Sequence, residues 1–96
     1  MIVYKATNKI NNKVYIGYTT KTLNQRKKEH LYKSNCKSDK HYFYLFRQAI
    51  RKYGFDSFDW EVLSTHKTIE ECCNSEIYFI KTFNSISPSG YNLTEG

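Results

Sequence analysis

One proline and four glycines in 96 residues leave no room for collagen-like or low-complexity structure. Cysteine is nearly absent too: Cys72 and Cys73 are adjacent, Cys36 stands apart, and no C-x-x-C pair offers zinc ligands or a redox couple. Reduced, packing cysteines are the expectation. No apolar run approaches the roughly 20 residues of a membrane-spanning helix, and the N-terminus lacks the apolar core of a signal peptide. The chain therefore reads as intracellular, with no membrane partner. Acidic side chains are scarce in one half only. Residues 1–54 hold Glu29 and Asp39 against thirteen lysines and arginines, whereas residues 55–96 hold seven acids against two lysines. The formal charge of +6 thus divides into +11 and −5, and the basic half is the one suited to a polyanion.

What is plentiful is aromatic volume: nine Tyr, six Phe and one Trp, enough to build a core in so short a chain. No repeat or linker is visible, so residues 1–96 are expected to form one domain. Ile2–Ala6 and Lys13–Tyr18 are β-prone and flank a turn-rich stretch in which Asn11 and Asn12 tolerate positive φ, which predicts an antiparallel hairpin. Thr22-Leu23-Asn24-Gln25 has the capping-box form and predicts a helix to about Lys33. Tyr42, Phe46, Ala49, Ile50 and Tyr53 recur at helical spacing, with Gly54 as the stop. Phe58, Trp60 and Val62 alternate with Asp59, Glu61 and Leu63 as in a strand with one buried face. A third helix opens at Thr68-Ile69-Glu70-Glu71 and carries Ile69, Cys72, Cys73, Glu76, Ile77, Ile80 and Phe83 on one stripe. Tyr91-Asn92-Leu93 is a tail expected to return to the sheet or the active surface.

Two features exceed what local physics requires. Glu76 lies within the apolar stripe of the last helix, where a carboxylate must be paired, snorkelled to solvent or bound to a cation. Arg26 and His30, at i and i+4, share a helical face beside Leu23. A chain with twelve lysines places a guanidinium here, a group able to grip a phosphate with a bidentate fork or to pair with an acid.

The order of these residues is recognisable. Ile2-Val3-Tyr4, then Tyr15-Ile16-Gly17, then Arg26 and His30 one helical turn apart, then Glu76, then Gly90-Tyr91-Asn92 resembles the signature of the GIY-YIG nuclease superfamily over nearly the whole chain. The departure is at the start, where Ile2 and Val3 replace Gly and Ile while Tyr4 is kept. The resemblance implies an α+β fold, a small three-stranded antiparallel sheet flanked by about three helices, in agreement with the β-β-α-α-β-α string read from the residues.

It also implies metal-dependent hydrolysis of DNA phosphodiesters. Tyr4 would be the general base or a relay to one, with His30 as proton acceptor or hydrogen-bond partner and Lys13 or a metal-bound water assisting. Glu76 would hold one Mg²⁺ or Mn²⁺, and Arg26 would bind the scissile phosphate. Tyr15 and Asn92 would position phosphate, water or Tyr4, and Gly17 would let backbone and sheet approach closely. Lys5, Lys13, Lys21, Arg26 and Lys27 would contact DNA, with no small-molecule cofactor and a monomer favoured. The expected setting is a phage or mobile-element endonuclease, either its excised catalytic domain or a stand-alone nuclease. The alternatives are a catalytically degenerate nucleic-acid-binding module and a structure-specific repair nuclease of the same superfamily.

Overall fold

A computed structural model describes residues 1–40 and 44–94. The elements run β1 (Ile2–Asn8), β2 (Val14–Thr19), α1 (Leu23–Ser34), α2 (Leu45–Tyr53), a single 3-10 turn, β3 (Phe58–Thr65) and α3 (Ile69–Phe83). β1 is the central strand of an antiparallel sheet ordered β2-β1-β3. The fold class and order expected from the sequence are those observed.

Local chemistry accounts for most boundaries. The hairpin closes through Asn12 at φ 62°, as an asparagine at a turn permits. Thr22 and Gln25 form both halves of the capping box on α1, and Gly54 ends α2 at φ 91°, where a side chain would be strained. Asn84 ends α3 in the left-handed region. Tyr42, placed by its spacing in the second helix, lies outside the described residues. Among those residues no helix is long and apolar enough to cross a membrane.

The sheet has two covered faces. Ala6 packs with Phe46, Ala49, Ile50, Phe58 and Tyr91 on the α2 side, while Val3 and Ile16 pack with Cys72 and Ile80 on the α3 side. The three cysteines are free, and Cys72 is a core residue as expected.

Two packing expectations are corrected. The pairing of β1 with β3 slips between Val3 and Tyr4, so Val3 faces Ser64 and Tyr4 faces Val62, with Leu63 as the extra residue. A bulge of this kind re-aims side chains. Leu63 joins the α3-side core and Val62 is exposed. On α3 the stripe is also narrower than the periodicity suggested. Ile69, Ile77 and Phe83 are exposed, because only Cys72 and Ile80 are fully covered and Phe79 completes the contact.

The tail returns to the sheet as expected. The Tyr91 amide donates to Val14 at 2.9 Å, and its hydroxyl accepts from Asn8 and Asn11. Gly90 is required here, since a Cβ would lie 2.4 Å from the Ser85 carbonyl oxygen. Asn92 accepts from the Ile16 amide at 2.9 Å and donates to its carbonyl at 2.8 Å. An edge strand normally exposes such groups, and the tail covers them on β2.

Candidate active site

A cleft of about 220 Å³ opens beside β2, between α1 and α2 on one wall and α3 on the other. Tyr15, Arg26, His30, Glu76 and Asn92 line it. Tyr4 lies behind these residues, fully buried, and is joined to the cleft through two of them. Arg26 Nε donates to the Tyr4 hydroxyl at 3.1 Å, and His30 Nε2 lies 2.8 Å from the same oxygen. Residues far apart in sequence therefore meet at one phenolic oxygen.

Glycine makes this possible. Gly17 is directly opposite Tyr4 in the β1–β2 ladder, and a Cβ there would lie 2.6 Å from the Tyr4 hydroxyl oxygen. The role expected for Gly17 was close approach of the sheet to DNA; the contact it permits is with Tyr4. The Tyr4 ring also stacks on Trp60 at 6.1 Å and lies 6.2 Å from the Tyr15 ring. Tyr15 is stacked flat against Phe46 at 4.2 Å, an anchorage that fixes its direction.

The electrostatics are set by burial. Burial pushes the Tyr4 hydroxyl well above its usual range, with Tyr15 and Glu76 adding and Arg26 opposing. Tyr15 is raised by burial as well. His30 is pushed down to about 2 by burial first, then by Arg26, Arg47 and Lys33, so its imidazole is neutral near pH 7. Glu76 is raised by burial alone. Its carboxylate is partly buried and has no hydrogen bond or ion pair among the described residues.

That unpaired carboxylate bears on the cation. A lone, half-desolvated carboxylate on an open cleft suits a hard ion that keeps most of its waters and takes one protein oxygen. Among the described residues no three His, Cys, Asp or Glu side chains cluster as a closed metal cage. The donor set therefore fits a hydrated divalent cation on Glu76, with space beside it in the cleft.

Other expected residues are placed elsewhere. Asn92 lines the cleft, but its oxygen is taken by the Ile16 amide and the Ser85 hydroxyl and its amide donates to Ile16. It holds β2, and through β2 the neighbouring Tyr15. Lys5 is paired with Glu61 at 2.8 Å and sits over the Phe83 ring, away from the cleft. Lys13 lines a separate groove with Asn11 and Tyr53, so it does not reach Tyr4. Lys21 lies nearer, bound to Glu29. Lys27 is on α1 beside Arg26 and has no ion pair among the described residues.

Two residues escaped the sequence reading. Glu29 joins Lys21 and Arg26 Nη1 in one ion cluster, and the hydrogen bond from Lys21, aided by Arg26, pulls its carboxyl down to about 2. Arg47 is buried, with Nε 3.1 Å from His30 Nδ1 and Nη1 3.2 Å from Asp39. The signal was the residue type: in a lysine-rich chain Arg26, Arg47 and Arg51 are all at least partly covered, and each makes a directed hydrogen bond.

Comparison with known proteins agrees with this geometry. Residues 1–92 match the sequence profile of the GIY-YIG catalytic domain. SegB of Enterobacteria phage T4, named as an endonuclease, is 33% identical over 94 residues, covering 97% of this chain and 37% of that protein. The chain thus spans little more than a third of the length of that relative. The catalytic domain of the homing endonuclease I-TevI superimposes with a TM-score of 0.78 at 25% identity over 96% of each chain. A glutamate-to-alanine mutant of that domain gives 0.79 at 26% identity, over 98% of this chain and 93% of that one. The profile, the relative and the shared fold place this chain in the GIY-YIG family, as a nuclease domain related to phage endonucleases.

Proposed function

We propose that residues 1–96 are the catalytic module of a metal-dependent DNA endonuclease, of the kind carried by phages or mobile elements. The observation that carries this reading is the pairing across one cleft of a hydrogen-bonded Tyr4–Arg26–His30 network with the unpaired Glu76. Arg26 is fixed through Nε on Tyr4 and Nη1 on Glu29, which leaves Nη2 for an oxygen of the scissile phosphate. A guanidinium there opposes the charge that accumulates on the phosphoryl oxygens during in-line attack.

Tyr4 is the general base: its hydroxyl first loses its own proton to solvent in the cleft, and the phenolate so formed takes a proton from the attacking water as the 3′-oxygen departs and is protonated from solvent. Its protonated resting form has a structural cause in burial, and Glu76 contributes to it. One Mg²⁺ or Mn²⁺ on Glu76 would supply Lewis-acid polarisation of the phosphate and stabilisation of the leaving oxygen. Arg26 opposes the effect of burial on Tyr4, and a cation on Glu76 would remove the smallest of the contributions that favour the neutral phenol. Tyr15 packs beside Tyr4 and keeps its ring in place. Lys21, Lys27 and the exposed lysines of the basic half supply a field for phosphates, without base readout and with steep salt dependence.

The test is cleavage of supercoiled plasmid with Mg²⁺ by wild type, Tyr4→Phe, Arg26→Ala and Glu76→Ala. Each variant is expected to lose activity by about a hundredfold or more, the scale set by single acid–base or oxyanion-stabilising groups. Full activity in all three removes the assigned site. A wild type that binds but never cuts duplex, nicked or branched DNA turns the reading toward a binding module.

A further inference from the structure

Arg47 is 4% exposed, an unusual position for a cation, and each of its N–H groups needs an acceptor there. Nη1 has one in Asp39, at 3.2 Å. Nε has His30 Nδ1 at 3.1 Å. Arginine keeps its protons and carries no acceptor, so Nε must donate and Nδ1 must present a lone pair. An imidazolium, or a neutral ring with its proton on Nδ1, would set two N–H groups head to head. The remaining form carries the proton on Nε2, the nitrogen 2.8 Å from the Tyr4 oxygen. His30 then donates to Tyr4, and Arg26 Nε donates to the same atom at 3.1 Å.

We propose that Arg47 is a positioning residue that locks His30 in the Nε2–H tautomer, so that Tyr4 accepts two fixed hydrogen bonds, from His30 and Arg26, that favour its proton-accepting form. This deepens the proposed function and rests on Tyr4 as the base. It also settles a choice left open by the sequence: His30 is a donor that favours the phenolate, and it takes no proton from Tyr4. The surroundings agree. The charges facing the imidazole are Arg26 and Lys33 from α1 and Arg47 from α2, all positive. The sheet and α2 contribute the rings of Tyr4, Tyr15, Trp60 and Phe46.

Two substitutions separate the hydrogen bond from the bulk. In Arg47→Gln the amide nitrogen falls at the same bond count as the arginine Nε, keeping a donor to Nδ1. In Arg47→Met a methyl group falls there and donates nothing. The measurement is a long-range ¹H–¹⁵N correlation spectrum of the full 96-residue chain labelled at histidine, with plasmid cleavage alongside. The wild type is expected to show a protonated Nε2 and a bare Nδ1 on His30, Arg47→Gln to preserve that pattern, and Arg47→Met to give mixed tautomers.

Cleavage by Arg47→Met should fall about ten- to hundredfold in kcat, the usual scale for a group that orients a catalytic side chain, with KM for DNA little changed. Arg47→Gln should recover most of that loss. A wild-type His30 protonated on Nδ1 overturns the proposal, and this reading needs no variant to fold. A wild-type tautomer in a folded Arg47→Met overturns it as well. If the wild type shows Nε2–H but Tyr4→Phe cuts normally, the lock stands and the assignment of the base fails, so the two claims separate.

Discussion

The two walls of the cleft follow opposite rules. On the α1–α2 wall the polar groups are joined: Lys21 to Glu29, Glu29 to Arg26, Arg26 to Tyr4, Tyr4 to His30, His30 to Arg47 and Arg47 to Asp39. On the α3 wall Glu76 stands with no such partner among the described residues. The first arrangement holds a phenolic oxygen in one geometry and does so at rest. The second leaves a partly desolvated carboxylate with open space beside it, where the proposed function would seat a cation. Buried networks are stable when every member is satisfied, and here the unpaired side chain is on the α3 side. One half of the cleft is held by its own contacts, and the other is open to a ligand.

The comparison is broken most severely at Glu76. Glu76→Gln removes the charge while keeping the shape, and cleavage should fall by about a thousandfold, corresponding to several kcal/mol of lost transition-state stabilisation by the metal. Without metal, the variant should melt no lower than wild type, because an acid whose pKa burial has raised opposes folding at neutral pH. That penalty is present above the folded pKa and disappears as pH falls and the carboxyl protonates. Mg²⁺ should raise the melting temperature of the wild type and leave that of Glu76→Gln unmoved. A melting temperature raised equally in both would place the cation elsewhere.

A smaller effect is expected where the tail meets the sheet. Asn92→Ala deletes three buried hydrogen bonds and should cost about 2–3 kcal/mol at roughly 1 kcal/mol each. Urea unfolding followed by fluorescence of Trp60, the single tryptophan, reads this directly. On the same strand, Gly17→Ala should cost about 1–3 kcal/mol through overpacking and should displace Tyr4. It should therefore depress cleavage more than stability alone explains, measured as kcat under conditions where the variant is fully folded.

The smallest change is expected at Glu29. Its depressed pKa contributes stability above the ordinary value of 4.5 that is lost as pH falls toward about 2, so Glu29→Gln should flatten the acid limb of a melting-temperature profile. It should also release Lys21 and Arg26, tightening DNA binding a few-fold at low salt, on the scale of one exposed charge. Binding unchanged at every salt concentration would mean that neither cation faces the phosphates.

The sequence disclosed whatever is local or periodic. Thr22 with Gln25, Gly54 and the Asn11-Asn12 turn specify their own backbone, and the spacing of Arg26 and His30 specifies a shared face. Motif order added Tyr4, Tyr15, Glu76 and Asn92 as a set. The structure supplied what depends on partners across the fold. The slip at Val3 and Tyr4 moves Leu63 inward and Val62 outward, and no alternation pattern encodes a bulge that arises from pairing with another strand. Asn92 was legible as important, but its work on the Ile16 backbone is set by a contact 76 residues away. Arg47 was hidden because a basic residue one position from Phe46 reads as a solvated flank until α1 is laid against α2.

The tail has a temporal consequence. Asn8 reaches Tyr91 across 83 residues, and β2 has its outer edge covered only when Asn92 arrives. Contacts of such sequence separation are made late, since the chain between them must first be closed. During synthesis the hairpin, the basic helix and the tyrosines leave the ribosome long before the segment that secures them. The strand bearing Tyr15 is therefore pinned only after residue 92 has been made, and the geometry of the cleft is completed from the far end of the chain.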